Sequence, residues 1–92
     1  MEQITDKTTL ALLQGKRVKN FEQNVAKRAK KIIATVLMTS DLRDLMHPSL
    51  RLEKLPEYGK GDYRSVRINN KWRVMFRWVD GQAVDIKVVD YH

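Results

Sequence analysis

The C-terminal stretch, residues 63–92, reads YRSVRINNKWRVMFRWVDGQAVDIKVVDYH and leaves little choice of fold. It holds three strand-like runs, 63–69, 72–79 and 83–89, separated by two short turn signals. Successive side chains of a strand point to opposite faces. In the first run Val66 and Ile68 therefore share a face with Arg64, while Tyr63, Ser65, Arg67 and Asn69 share the other. In the second run Trp72, Val74, Phe76 and Trp78 alternate with Arg73, Met75, Arg77 and Val79. Asp80-Gly81 is a strong hairpin signal, because tight hairpin turns need positive φ at their centre. Asn69-Asn70-Lys71 is plausible turn chemistry for the other connection. The simplest packing sends Val66, Ile68, Val74, Phe76, Trp78, Val84, Ile86 and Val88 to one core. Ser65, Arg67, Arg73, Met75, Arg77 and Tyr91 then lie on a solvated face.

A 92-residue chain is expected to form one domain, 1–92, whose core every element must share. The formal charge of +7 favours a polyanionic partner, nucleic acid first, with an anionic membrane surface or an acidic protein behind it. No apolar run approaches the roughly 18 residues that span a bilayer, and residues 1–9 lack the layout of a signal peptide, so a soluble cytoplasmic protein is expected. With no cysteine, disulfides, thiolate metal sites and cysteine nucleophiles are excluded. Two histidines, His47 and His92, argue against a His-rich metal site, and neither a glycine-rich phosphate loop nor a nucleophile elbow is present. The expectation is chemistry without cofactor or metal.

Upstream, Asp6 is a fair N-cap for a helix through Leu13, and Gly15 fits its stop. Residues 2–5 could add a brief edge strand. The clearest helix covers 22–38, where Phe21, Val25, Ala29, Ile32, Ile33, Val36 and Leu37 form one apolar stripe. Lys27, Arg28, Lys30 and Lys31 fill the remaining surface, as a solvated face or a phosphate-tracking one. Ser40 or Asp41 can cap a short helical segment, 42–46, ended by His47-Pro48. His47 reads as a surface or helix-end residue. Residues 50–55 alternate as a first strand of the main sheet, and 56–62 are a loop with Lys60 at its tip. The fold class is therefore α+β: two to three N-terminal helices on one face of a four-stranded, possibly five-stranded, mainly antiparallel sheet.

RNA can be cut with no metal. The 2′-hydroxyl attacks the adjacent phosphorus, a base removes its proton, cations hold the growing charge, and an acid protonates the leaving 5′ oxygen. Histidine suits either proton role, and arginine's planar fork meets two phosphate oxygens while staying charged. His92 is a candidate for the first task, and the arginines that converge on the solvated face, Arg67, Arg73 and Arg77, for the second. Asp90 can orient a neighbour, and Tyr91 can stack on a base or bond the phosphate. A terminal residue is usually frayed, so Asp90-Tyr91-His92 alone is a weak signal.

Taken together the motifs resemble the HigB branch of the RelE/ParE toxin superfamily from bacterial toxin–antitoxin pairs. The matching pieces are TLALLQGKRVKNF (9–21), RLEKL (51–55), SVRINNKWRVMFRW (65–78), Asp80-Gly81 and the terminal VDYH, in order along nearly the whole chain. The resemblance implies a compact RelE-like fold and an mRNA interferase that cuts mRNA in the ribosomal A site. It implies a helix-turn-helix, HigA-like antitoxin, the ribosome and mRNA as partners, with operator DNA met only through the antitoxin complex and no membrane. By matched positions His92 carries over as the leading proton-transfer residue, with Asp90 and Tyr91 as its partners. Arg67 and Arg73 map onto basic positions facing the cleft, as the strand alternation suggests independently. Lys60, Arg64, Asn69, Lys71 and Arg77 are the candidate RNA contacts. Glu53 and Lys54 fall where family members vary, and the loop 56–62 departs from the family's usual pattern, leaving Lys60 as its basic residue.

Two other readings compete. A ParE-like inhibitor of DNA gyrase would use the same fold as a binding module and would not need the terminal histidine. A plain basic nucleic-acid-binding module would satisfy the charge, but no aromatic pair is spaced like an RNA-binding sheet signature. Trp72 and Trp78 share a strand parity that points them to the core.

Overall fold

A computed structural model of the protein describes residues 3–55 and 62–90. Two helices come first, α1 (Lys7–Leu13) and α2 (Gln23–Met38). Two 3₁₀ turns follow, Leu42–Leu45 and Pro48–Leu50. The chain then enters a four-stranded antiparallel meander, β1 (Glu53–Lys54), β2 (Tyr63–Arg67), β3 (Trp72–Val79) and β4 (Gln82–Asp90), in spatial order β1-β2-β3-β4.

The helix ends follow their capping residues. The Asp6 carboxylate accepts from the Thr9 amide at 3.0 Å. After Leu13 the Gly15 amide donates to Leu12 and the Lys16 amide to Ala11, a Schellman closure that Gly15 permits at φ 77. The stripe of α2 buries Ala29, Ile32, Ile33 and Val36 against Val66, Ile68, Val74, Phe76, Ala83 and Ile86 of the sheet. Trp72, Trp78 and Val88 pack at its margin, as their parity predicts. Phe76 is fully buried, and burying one such side chain contributes about 1.5–3 kcal/mol.

Several expectations need correction. The segment 42–46 is a 3₁₀ turn rather than a third α-helix, with Asp41 accepting from the Arg43 amide. The strand expected over 50–55 shrinks to Glu53–Lys54, because His47 caps and Pro48 opens a 3₁₀ turn that absorbs Leu50. His47 is thus a helix-end residue; its Nδ1 accepts from the Ser49 amide at 3.1 Å. Within 3–5 there is no edge strand, and Glu2 lies outside the described residues. Gln3 still guards the outer edge of β4: its carbonyl accepts from the Ile86 amide and its side-chain amide donates to Ala83. Farther along that edge the Thr9 hydroxyl accepts from the Val88 amide at 2.9 Å and donates to Asp6. The first hairpin strand ends at Arg67, two residues short of the expected limit, because 68–71 form the turn: Asn69 Oδ1 accepts from both the Lys71 and Trp72 amides.

The largest correction is in β4. Met75 faces Lys87 but Arg77 faces Val84, so one extra residue sits in β4 at Asp85, held at φ 55. A bulge reverses side-chain parity. Ala83, opposite Trp78, therefore joins the helix-side core, and Val84, assigned there by alternation, turns to the opposite face. That second face is not simply solvated. Ser65, Arg73, Met75 and Val84 are all buried on it.

Candidate active site

The antiparallel register sets Arg67 directly opposite Arg73, and Ser65 beside Met75. Glu53 of β1 lies opposite Ser65, so β1 brings its own side chains to the same face. The result is a cleft of about 190 Å³ lined by Arg51, Glu53, Arg67, Asn69, Asn70 and Arg73.

Arg73 forms the floor. It is only 4 % exposed, whereas the alternation expected it in solvent. Its Nε donates to Ser65 Oγ at 2.7 Å, and its Nη2 donates to the Arg51 carbonyl at 2.6 Å. A buried guanidinium is tolerated only when its donors are satisfied, and this one is bonded to two neighbouring elements. The second bond also pins Arg51, a non-glycine residue in left-handed backbone at φ 45, at the exit of the 3₁₀ turn. Arg51 is exposed and Arg67 half-buried, so their guanidinium groups line the open part of the cleft. Arg67 Nη2 bonds the Asn70 side-chain oxygen.

Of the sequence candidates, Arg67, Arg73 and Asn69 are brought together here. Asp90 ends β4 opposite Trp72, one residue along from the Arg73–Val89 pair, which places it at the same end of the sheet. Lys71 lies over the Trp72 ring, 5.2 Å from its centroid, a cation–π contact. Arg64 is on the other face: it stands opposite Phe76, 12 % exposed, with Nη1 2.6 Å from Asp62 Oδ2. Arg77 is four residues from Arg73, about 13 Å along the strand, and pairs in register with Tyr63. Its Nε is buried without a hydrogen-bond partner among the described residues. Lys60, Tyr91 and His92 lie outside the described residues.

Alternation did not single out Arg51, Glu53 or Asn70. For the first two the signal was there: Arg51 and Glu53 share parity in RLEKL, and the Glu53–Ser65 pairing puts that parity on the Arg67 face. At the far end of the same face the Tyr63 hydroxyl donates to Asp85 at 2.8 Å. That bond, helped by partial burial and the Asp85 charge, raises the Tyr63 pKa above its ordinary 10.0 against the pull of Arg77.

Which family the chain belongs to is decided by a family comparison. The family model for the RelE-like toxin of the type II toxin-antitoxin system HigB matches residues 4–92. The chain is a HigB-like toxin. No curated protein matches it. As a toxin of a type II system it has an antitoxin for a partner, and its helices-on-sheet architecture agrees with the RelE-like fold. Among the described residues of the toxin no helix is long and apolar enough to cross a membrane.

Proposed function

We propose that this toxin is a ribosome-dependent mRNA endonuclease that cleaves mRNA in the ribosomal A site by metal-independent acid–base chemistry and so inhibits translation. The observation that carries the reading is the cleft in which Arg51 and Arg67 flank buried Arg73. In-line attack of the 2′ oxygen on phosphorus breaks the bond to the 5′ oxygen, leaving a 2′,3′-cyclic phosphate and a 5′-hydroxyl. Charge grows on the non-bridging oxygens as the bond forms, and preorganised guanidinium groups stabilise it. Arg67 and Arg51 meet those oxygens, while Arg73 positions Arg51 through its carbonyl and adds its own field from below. His92 moves the proton, as base or acid, with Asp90 and Tyr91 orienting it. Asn69 and Lys71 extend the binding surface along the 68–72 turn. A cleft this open and shallow holds a phosphate but not a codon, which is why the ribosome is assigned the task of presenting the mRNA. The partners are then the ribosome, its mRNA and a HigA-like antitoxin.

The test is cleavage of a defined mRNA with and without ribosomes, by the intact toxin and by a form lacking His92. Cleavage that requires ribosomes and disappears with His92 is expected. Cleavage that survives the deletion removes His92 from the mechanism. No cleavage in any reaction transfers the assignment to gyrase inhibition, which a DNA supercoiling assay then reads directly.

A further inference from the structure

A second cavity, larger than the arginine cleft, is a groove of about 580 Å³ where the end of α1, the 14–22 connection and the first half of α2 meet. Five cationic side chains line it, from Lys16, Arg17, Lys19, Lys27 and Lys30, all on exposed residues, and among the described residues no acidic one does. Its floor is apolar, from Leu12, Val18 and Phe21. The walls are fixed in advance. Gly15 and Asn20 hold the connection in two left-handed turns, at φ 77 and 73. Phe21 stacks on Trp72 of β3, ring centroids 4.4 Å apart, tying the groove to the sheet. Lys30 Nζ rests against Gly15, 3.4 Å from where a Cβ would stand.

We infer that this groove receives an acidic, amphipathic segment of the antitoxin, with carboxylates on the lysine and arginine rim and aliphatic side chains on the floor. The inference rests on membership of a type II toxin family and not on the mRNA-cleavage reading. Charge complementarity calls for an anion, and the unopposed rim raises both encounter rate and specificity for one. The floor selects among anions. A nucleic-acid backbone has no apolar group to bury, and the floor's aromatic ring, Phe21, is already stacked on Trp72, which leaves bases a branched pocket of Leu12 and Val18 rather than a flat platform. A helix or strand carrying leucine or isoleucine between glutamates satisfies rim and floor together.

The probe is a synthetic helical peptide with leucines along one face and glutamates on both sides of it. A scrambled peptide of the same composition and an oligouridine are the controls. Each is titrated by fluorescence anisotropy against the full-length toxin. The amphipathic peptide is expected to bind about tenfold more tightly than the scrambled one, and the Lys27→Glu/Lys30→Glu pair to weaken it about tenfold. Val18→Ser, which leaves the charge alone, is expected to weaken it about fivefold. Both lysines are exposed, so an unchanged melting temperature confirms that the paired variant is folded. Equal binding of the scrambled peptide, or indifference to the lysine pair, overturns the inference. So does an oligouridine that displaces the peptide and itself depends on Lys27 and Lys30, which makes the groove an RNA surface. The assay contains neither ribosomes nor mRNA, so its failure and the failure of the cleavage reading are separate events.

Discussion

Two arginines that face each other across β2 and β3 have different physical roles. Arg67 is half-buried, bonded to a neighbouring side chain, and replaceable as far as the fold is concerned. Replacing it with Ala is expected to change stability by no more than about 0.5 kcal/mol and to abolish ribosome-dependent cleavage. Arg73 is buried and bonded to Ser65 Oγ and the Arg51 carbonyl. Arg73→Ala strands both acceptors, and each loss costs about 1–3 kcal/mol where water cannot replace the donor. Urea unfolding of the two variants checks the contrast; a stable Arg73→Ala protein would show that the buried bonds contribute little. Alternation along β2 and β3 gave both residues the same face, which the register confirms, but alternation cannot report depth. Burial of Arg73 depends on the 3₁₀ turn at Pro48–Leu50 folding back so that the Arg51 carbonyl reaches it, a long-range event with no local signature.

At the level of elements, the hydrophobic period located α2 and β3, the latter to its limits, while capping and turn residues located α1 and the Asp80-Gly81 hairpin, both of whose residues have positive φ. It failed where one residue breaks the period. Asp85 in left-handed backbone is tolerated because a short polar side chain can bond locally, and nothing in QAVDIKVV distinguishes it from an ordinary outward residue of the strand. The bulge it makes exchanges Ala83 for Val84 in the core and turns the Asp85 carboxylate to Tyr63. Asp85→Val forces a β-branched residue to positive φ and is expected to destabilise by about 1–2 kcal/mol, whereas Asp85→Gly relieves the backbone and loses only the side-chain bond. Either change removes the main cause of the raised Tyr63 pKa, so ultraviolet titration is expected to show that hydroxyl ionising nearer its ordinary 10.0. The sign follows from the direction: Tyr63 titrates higher in the folded state, so the bond's contribution is fully present below the unfolded pKa and is lost as pH rises through the folded one. A titration curve unchanged by Asp85→Gly would remove the bond as the cause.

Across the whole molecule, which carries a net charge of +7, cationic side chains gather in two cavities with different chemistry. The arginine cleft lies at the Arg67–Arg73 end of the sheet's second face. The lysine groove lies where α1, α2 and their connection meet, beyond the other face, and it has an apolar floor that the cleft lacks. A polyanion that releases counterions on binding leaves a record of which surface it touches, because each phosphate neutralised steepens the salt dependence of the binding constant. If the cleft grips RNA and the groove grips protein, ribosome binding must weaken as salt rises. Arg51→Ala and Arg67→Ala must each flatten that logarithmic slope, by about 0.7 for a single-strand contact. Neutralising Lys27 and Lys30 with Gln must leave the slope unchanged, while antitoxin binding responds to the same lysines. Sedimentation of toxin with ribosomes across a salt series measures all of these slopes. A slope that falls with the groove lysines and ignores Arg51 and Arg67 would exchange the two assignments, making the helical side the nucleic-acid surface.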